Sequence, residues 1–340
     1  MARPINFDVI LVIIALIVLF ALAAKGPNVF SRSPGGERAA ARAAKPSSPH
    51  AGAAEIGEQR MLQVGSEQRA YYLHRPAGAA SSALPLVIVF HGGEGSPQKI
   101  AAQTGFNEVA DRNGFAVAYP ASIDHWNDGR DATAKFGDDT RFTSELIDAL
   151  AGSDGIDRTR VYATGASNGG LMTLRLACER ANEIAAFAAV AASFPDSYMS
   201  HCKPARPVPL LIIHGSDDRL IPRGGGTIPS GRRVGLGGTV NPLPDTLEFW
   251  RQADGCQPQP SVKTLPDAAD DGTTVKVMEY QGCAPAAGLI FVDVVGGGHT
   301  WPGTRVDPVG RLAGRISRDI DASQYIWDFF RGHRLAENRE

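Results

Sequence analysis

The chain has 340 residues, of which 43% are hydrophobic and 21% charged, and this ordinary composition predicts one large globular domain with appendages. The net charge is −2 and the basic residues are scattered, which argues against the basic face of a nucleic-acid-binding protein. A domain of about 280 residues buries enough surface to fold without a metal, a cofactor or a partner.

The N-terminal segment predicts export. Arg3 precedes an unbroken apolar run over residues 9–24, which is long for the core of a signal peptide and short for a membrane span. The small-x-small sequence Ala21-Leu22-Ala23 offers a cleavage site. A signal peptide is therefore favoured, an uncleaved membrane anchor is the main alternative, and a buried core helix is a third. Either of the first two exports the rest of the chain.

Residues 25–54 are rich in Ala, Pro, Ser, Gly and Arg and contain almost no large apolar side chain. Such a segment cannot bury enough surface to offset the entropy of ordering, and a flexible linker is predicted. One folded domain is expected over residues 55–334, followed by a short tail at 335–340.

The folded part alternates strands and helices. Two strands at 60–64 and 69–74 are predicted to flank a turn, and the continuous apolar run at 85–90 is typical of a strand buried on both faces. Further strands are predicted at 115–119, 160–164, 187–192, 210–214, 275–280 and 289–294, and helices at 97–112, 142–150, 169–178, 243–253 and 322–331. This order predicts an α/β fold with a mostly parallel central sheet and helices on both faces. Its active site is expected beyond the carboxyl ends of the strands.

A candidate nucleophile lies in one of these strand-end turns. Gly165-Ala166-Ser167-Asn168-Gly169 has the G-x-S-x-G pattern between a strand and a helix. The sharp turn exposes the serine, and small flanking residues are needed because the strand and helix backbones pass close to it. The N-terminal amides of the new helix point towards an oxyanion. The pattern alone arises by chance in a glycine-rich chain, so the strand–turn–helix context carries the prediction.

Two further strand ends supply an acid and a base. Asp217 and Asp218 follow the strand at 210–214, where aspartates are more often turn formers. His299 follows three glycines after the strand at 289–294, and that bare backbone leaves the ring open to substrate. The order Ser167, Asp218, His299 is that of the α/β-hydrolase fold, with Asp218 orienting the His299 base and Asp217 as the rival acid.

The glycine-rich stretch His91-Gly92-Gly93-Glu94-Gly95 predicts an oxyanion hole. It follows the strand at 85–90, where hydrolases of this fold place such a loop. The backbone amides of Gly93 and Asn168 are the predicted donors. A phosphate-binding loop is the alternative, but no lysine follows at the required spacing.

The four cysteines, Cys178, Cys202, Cys256 and Cys283, indicate two disulfides in an oxidising compartment. Three pairings are possible, and we expect the sequential one because it closes short loops. Four free thiols are the alternative, which conflicts with the exported N-terminus. The spacing fits no zinc site.

The chain resembles polyhydroxybutyrate-depolymerase-type esterases, a group that also contains feruloyl and acetylxylan esterases. The similarity covers about residues 58–334 and rests on an ordered series of motifs: Val89-Phe-His-Gly-Gly93, Thr104-Gly-Phe-Asn107, Asp124-His-Trp-Asn-Asp-Gly-Arg130, Asp157-Arg-Thr-Arg-Val-Tyr162, and the stretches at 165–170, 214–222, 296–303 and 322–330. The resemblance implies Ser167 as nucleophile, Asp218 as acid and His299 as base. It also implies Gly93 and Asn168 as oxyanion donors, and it supports the sequential disulfides.

Two departures from this family bear on the substrate. Many polymer-degrading members have Cys where this chain has Gly93, and no polymer-binding module is expected after Glu340. Both favour soluble esters or oligomers over solid polymer. Trp126 and Trp301 are candidates for lining an acyl or aromatic pocket, with buried packing as the alternative. The glycine-rich residues 223–238, with Arg232-Arg233, suggest a flap near the site, or a loop without a role.

The expected function is therefore an exported serine carboxylic-ester hydrolase that needs no cofactor and binds no nucleic acid. A serine peptidase of the prolyl-oligopeptidase type shares the fold and the elbow but usually carries an additional domain. A non-catalytic surface binding module is the third hypothesis, although such a module normally loses a member of the triad.

Overall fold

The computed structural model describes residues 56–78, 83–231, 235–306 and 312–336. The predicted signal peptide or anchor at 1–24, the linker at 25–54, most of the tail and Arg232-Arg233 lie outside these residues. Within the described ranges, no helix combines the length and the apolar character that crossing a membrane requires.

The strands confirm the predicted, mostly parallel central sheet. They are β1 Glu58–Val64, β2 Glu67–His74, β3 Leu84–Phe90, β4 Ala116–Pro120, β5 Ile156–Ala166, β6 Ala186–Val190, β7 Pro209–Gly215, the short β8 Gly226–Thr227, β9 Ser230–Gly231, β10 Gly235–Leu236 and β11 Thr239–Val240, then β12 Pro260–Thr264, β13 Thr274–Tyr280 and β14 Gly288–Val295. Ten of them form one sheet in the order β1-β2-β4-β3-β5-β6-β7-β14-β13-β12. From β4 to β14 neighbouring strands are parallel, and the two outer pairs on each side are antiparallel.

Helices cover both faces of this sheet. They are α1 Pro97–Thr104, α2 Phe106–Asn113, α3 Asp139–Ser153, α4 Asn168–Glu179, the short α5 Asp196–Met199, α6 Leu243–Ala253 and α7 Ala322–Phe330. All seven residues of β3 are buried, and alternate side chains point to opposite faces. Leu86, Ile88 and Phe90 join a core with residues of α3, α4 and α6, whereas Val87 and Val89 join a second core with residues of α1, α2 and α7. The continuous apolar sequence of β3 thus reflects helices on both sides.

The helix predicted over residues 97–112 is in fact two helices. Gly105 ends α1 and begins α2 with φ 61°, a left-handed conformation that costs glycine little. Its amide donates to the carbonyl of Ala101 at 2.9 Å. The side chain of Ser96 caps α1 by accepting from the Lys99 amide at 3.3 Å. The apolar spacing continues through the break, which is why periodicity alone missed it.

One strand of the sheet was not predicted from the sequence. β12 (Pro260–Thr264) pairs with β13 at the edge, and four of its five residues are exposed. An edge strand needs no buried face, so its polar sequence carries no alternating pattern. The strand is positioned by the ladder with β13 rather than by its own side chains.

Both disulfides have the expected sequential pairing. Cys178 is bonded to Cys202, and Cys256 to Cys283. The first joins α4 to the segment after α5, and the second joins the segment after α6 to the connection between β13 and β14. The first bond therefore fastens a loop to a helix, and the second joins two loops.

Candidate active site

Ser167 occupies the turn between β5 and α4. Its backbone has φ 57° and ψ −122°, a conformation that is costly for a residue with a side chain. The surrounding ladder imposes it, because the Ser167 amide donates to Val190 at 3.0 Å and its carbonyl accepts from Leu171 at 2.8 Å. Its neighbours Ala166 and Asn168 are buried while Ser167 itself is only half-buried. The turn thus presents one hydroxyl at the edge of the sheet.

The flanking glycines are required by close backbone contacts. A Cβ on Gly165 would lie 2.6 Å from the carbonyl carbon of Gly169 and 2.7 Å from the carbonyl oxygen of Phe90. A Cβ on Gly169 would overlap that same oxygen of Phe90. The G-x-S-x-G pattern therefore follows from β3, β5 and α4 crossing with no room for side chains.

His299 and Asp218 are brought together from loops that follow β14 and β7. Nδ1 of His299 donates to Oδ2 of Asp218 at 2.8 Å, and the two residues are 8% and 6% exposed. The other carboxylate oxygen, Oδ1, accepts from the amides of Leu220 and Ile221, each at 2.8 Å. With its proton on Nδ1, the His299 ring keeps an unprotonated Nε2 that is able to act as a base.

Burial opposes ionisation of Asp218, but the charge and hydrogen bond of His299 outweigh it. Together with His214 and the Ile221 amide, they hold the pKa of Asp218 below its usual value. His214 has a fully buried side chain, and its Nε2 lies 3.8 Å from Oδ2 of Asp218. Burial lowers the pKa of His214, and the nearby carboxylate of Asp218 acts in the opposite direction.

The rival acid Asp217 lies in a different environment. Its side chain is 57% exposed and accepts from the hydroxyl of Ser216 at 2.9 Å. The nearest basic group is Arg315, at 3.9 Å. The ring of His299 is thus paired with Asp218 and not with Asp217.

The glycine-rich loop after β3 borders the serine. A Cβ on Gly92 would lie 3.5 Å from Cβ of Ser167, and one on Gly93 would lie 4.0 Å from Cβ of Asn168. His91, at the start of this loop, is folded back, so that its Nδ1 donates to the Gly92 carbonyl at 2.8 Å. Burial lowers the pKa of His91 to about 4, and this ring is therefore neutral at pH 7. Gly93 and Asn168 thus meet beside Ser167, as an oxyanion hole requires.

The prediction that Trp126 and Trp301 line a substrate pocket is wrong for this structure. Trp126 is 0% exposed and donates from Nε1 to the carbonyl of His91 at 2.8 Å. Trp301 is 1% exposed, and its Nε1 donates to the hydroxyl of Ser323 at 3.0 Å. Each ring is enclosed in protein, and its Nε1 has a hydrogen-bond acceptor. Both tryptophans are therefore buried packing residues, which was the alternative to a pocket-lining role.

The suggested flap carries two short antiparallel strand pairs, one nested within the other in sequence. β8 pairs with β11 and β9 with β10, and both lie between β7 and α6. Its first residue, Arg223, forms an ion pair with Asp293 of β14 at 2.7 Å. Near its end, the carbonyl of Gly237 accepts from Nη1 of Arg130. The segment is thus attached to strand β14 near its start and to the loop after β4 near its end.

Sequence reasoning gave no role to several buried polar residues near the oxyanion loop. His125 is 4% exposed, and a Cβ on Gly93 would lie 3.5 Å from its ring. Asp128 and Arg130 form a buried ion pair at 2.7 Å, beside the side chain of Asn168. The motif at 124–130 was a signal for them, since a charged pair flanking a glycine is unusual in a buried loop. Among the described residues, no cluster of His, Cys, Asp and Glu is arranged to hold a metal ion.

Comparison with known proteins places the chain in a family of esterases. The sequence family described as esterase PHB depolymerase matches residues 69–197. The protein named "putative esterase NocK" of Nocardia uniformis subsp. tsuyamanensis is 32% identical over 287 residues, covering 80% of this chain and 82% of its own. Feruloyl esterase B of Piromyces equi is 28% identical over 66% of this chain, which spans only 41% of that relative's length.

Among solved structures, an acetyl xylan esterase from Aspergillus awamori superposes with a TM-score of 0.52. It is 17% identical, and the match covers 72% of this chain and 94% of that one. At this identity the likeness concerns the fold, which is that of the α/β-hydrolases. Together with the relative that is 32% identical, the matched family shows that this chain is an esterase of the polyhydroxybutyrate-depolymerase family.

Proposed function

We propose that this chain is an exported serine carboxylic-ester hydrolase that acts through Ser167, His299 and Asp218 on soluble esters or oligomers. The observation that carries the proposal is the 2.8 Å hydrogen bond from Nδ1 of His299 to the buried Asp218. It fixes the tautomer of a histidine at the same sheet edge as a serine held in a strained turn.

In the acylation step, Nε2 of His299 accepts the proton of the Ser167 hydroxyl as the oxygen attacks the ester carbonyl. A tetrahedral intermediate forms, and the imidazolium of His299 is stabilised by the carboxylate of Asp218. His299 then gives its proton to the leaving alcohol as the carbon–oxygen bond breaks. Ser167 is left as an acyl ester.

The negative oxygen of the intermediate is assigned to the backbone amides of Gly93 and Asn168. Asn168 is the first residue of α4, so its amide has no acceptor within the helix and the helix dipole favours an anion there. In related chemistry, losing one such donor lowers kcat by about 10²- to 10³-fold.

In the deacylation step, His299 removes a proton from a water molecule, and the resulting hydroxide attacks the acyl carbonyl. The second tetrahedral intermediate collapses, the acid product leaves, and the proton returns to Ser167. Water supplies the only other reactant, so the cycle balances without a cofactor.

Export is proposed together with the domain plan. A signal peptide or anchor at 1–24 and a linker at 25–54 precede a catalytic domain at 55–334. Two disulfides support an oxidising compartment, because such bonds are rare in the cytosol. The relatives named as esterases and feruloyl esterases support an ester as substrate.

The test is hydrolysis of a substrate panel by the protein lacking residues 1–54. The panel holds p-nitrophenyl acetate and butyrate, methyl ferulate, a hydroxybutyrate trimer and a proline-linked dipeptide amide. Ser167→Ala should be inactive, whereas Ser261→Ala, in the exposed edge strand, should match the parent. Cleavage of the dipeptide amide and of none of the esters would mean that the protein is a peptidase. No cleavage by folded protein would favour a binding module.

A further inference from the structure

The side chain of Asn168 is held from three directions. Its Oδ1 accepts from the Trp126 amide at 3.0 Å. Its Nδ2 donates to the Trp126 carbonyl at 3.1 Å and to Oδ2 of Asp128 at 2.6 Å. The residue is 3% exposed. The residue that begins α4 is therefore fixed by its side chain to the loop after β4.

Asp128 is the centre of this arrangement and is 0% exposed. Its Oδ1 accepts from the hydroxyl of Thr133 at 2.8 Å and from the amide of Arg130 at 3.1 Å. Its Oδ2 accepts from Nη2 of Arg130 at 2.7 Å and from Asn168. Nε of Arg130 lies 3.0 Å from both oxygens. A buried carboxylate needs such compensation, and here one guanidinium supplies most of it.

Arg130 also reaches the segment that carries β8 to β11. Its Nη1 donates to the carbonyl of Gly237, while Gly238, with φ 102°, passes so close that an added Cβ would lie 3.0 Å from Cδ of Arg130. Arg130 is 5% exposed. A single guanidinium thus bonds a carboxylate beside Asn168 on one side and the backbone of this segment on the other.

We propose that Asp128 and Arg130 are positioning residues for the oxyanion-binding amide of Asn168. The same ion pair also fastens the segment that carries β8 to β11, because Arg130 donates to Gly237. This inference rests on the proposed function, because it concerns the oxyanion hole of the esterase reaction. Asp128 and Arg130 do not touch the reacting atoms. They act through the side chain of Asn168.

The physical reason is that an oxyanion hole is effective only when its donors are already aimed at the developing charge. The first turn of a helix tends to fray, because its amides have no internal acceptor. Asn168 begins such a turn, and its side-chain bonds to Trp126 and Asp128 prevent its backbone from rotating. Without Arg130, the buried negative charge of Asp128 loses its main partner. The carboxylate is then expected to bind water or to move, and its hydrogen bond to Asn168 is lost.

Lysine cannot replace arginine in this role. The bonds to Asp128 and to Gly237 leave the guanidinium in different directions, from Nε and Nη2 on one side and from Nη1 on the other. An ammonium is a compact point charge without this fork. Arg130→Lys should therefore keep the charge but lose one of the two attachments.

The experiment compares the parent protein lacking residues 1–54 with Arg130→Lys, Arg130→Ala and Asp128→Asn. Hydrolysis of p-nitrophenyl butyrate gives kcat and KM, and titration of Ser167 with a fluorophosphonate gives the fraction of competent protein. Dividing by that fraction removes losses that come only from misfolding. Arg60→Ala is the matched control, since Arg60 pairs with Asp154 at 2.8 Å just before β5, at the amino edge of the sheet.

For the Arg130 variants we expect kcat per competent site to fall at least tenfold with KM changed less than about threefold, as for a weakened oxyanion donor. Added guanidinium at millimolar concentration should restore Arg130→Ala at least threefold, whereas equal sodium chloride should not. Hydrogen exchange at 226–240 should become faster in both Arg130 variants. Arg60→Ala should keep its kcat.

The proposal is overturned if folded Arg130→Lys has a kcat within twofold of the parent, or if hydrogen exchange at 226–240 is unchanged. A loss seen only in KM, or equal losses in Arg60→Ala, overturns it as well. If the parent itself cleaves no ester, the proposed function fails. The exchange measurement then still decides whether Arg130 fastens the segment.

Discussion

Nδ1 of His299 donates to Oδ2 of Asp218 at 2.8 Å, across 81 residues of sequence. The two side chains meet because β14 and β7 are parallel neighbours whose carboxyl ends lie side by side. A Cβ on Gly215 would clash with the carbonyl carbon of Gly297, at 2.6 Å, so the two loops pack backbone to backbone. The pairing of His299 with Asp218 is thus a consequence of strand order.

Asp218→Asn is expected to lower kcat by about 10³- to 10⁴-fold with little change in KM, because the amide presents the wrong partner to Nδ1 of His299 and favours the wrong tautomer. Asp217→Asn is the matched control. Its side chain is 57% exposed and lies away from the ring, so kcat should stay within about twofold of the parent. Steady-state hydrolysis of p-nitrophenyl butyrate measures both. The opposite ranking of these neighbours would mean that Asp217 is the acid.

Gly169→Ala is expected to destabilise the fold by about 3 kcal/mol or more, since the added methyl overlaps the carbonyl oxygen of Phe90 and neither backbone can move freely. Gly152→Ala provides the comparison. Gly152 lies within α3 with no atom near the added Cβ, and alanine there should stabilise the protein by about 0.5–1 kcal/mol. Urea unfolding followed by circular dichroism gives both values. Equal stabilities would remove the steric explanation of the turn.

Asp254 should make stability depend on pH. Burial raises the pKa of its carboxyl to about 7, despite the Val208 amide, which donates to Oδ1 at 2.8 Å, and the charge of Arg206. The unfolded chain ionises near the usual value of about 4, so between pH 4 and 7 the unfolded state holds fewer protons and the folded state loses stability as pH rises.

The variant Asp254→Asn lacks this titration. The difference in Tm between the variant and the parent should therefore shift in favour of the variant from pH 4 to 7 and become constant above pH 7. The free-energy difference should change by up to about 1.4 kcal/mol per pH unit. Calorimetric scans across this range provide the measurement, and parallel curves would exclude Asp254 as the source.

Removing the Cys178–Cys202 bond by a double Cys→Ala substitution is expected to destabilise the protein by about 3–4 kcal/mol, the loop entropy for a separation of 24 residues. Because Cys178 lies in α4, which begins at Asn168, activity should be lost at lower urea concentrations than in the parent. Reduction of the parent by dithiothreitol breaks both disulfides and should therefore shift the midpoint at least as far. If the reduced parent and the double variant both unfold at the parent's midpoint, the bond contributes nothing.

The central fold was predictable because each buried strand leaves its own pattern of apolar residues in the sequence. β3 and β7 are continuous apolar runs, and such runs are typical of strands covered on both faces. The bend at Gly105 was not predictable from periodicity, because the apolar spacing of α1 continues into α2. The edge strand β12 was missed because it buries no face that would leave a pattern.

The candidate site was predictable where a reactive side chain and the glycines that shape its turn stand next to each other in the sequence, as at Ser167 and His299. It was not predictable where the partner is remote. Nothing in the sequence places Arg130 against Gly237, 107 residues away, or Asn168 against Asp128. The burial of Trp126 and Trp301 was equally hidden, because the pattern of an aromatic beside a catalytic loop is the same whether the ring lines a cleft or fills the interior.

The position of β14 has a consequence for biosynthesis. The turn that carries Ser167, the proposed nucleophile, needs only β5 and α4, but His299, the proposed base, is positioned only after β14 has paired with β7, more than 120 residues later in the chain. Every nascent chain that is still shorter than 299 residues therefore carries an unactivated serine. Docking of this late parallel strand has a high loop-closure cost, which makes it a slow event of folding. Ser167 therefore lacks its proposed base until the strand that precedes His299 has been made and has paired with β7.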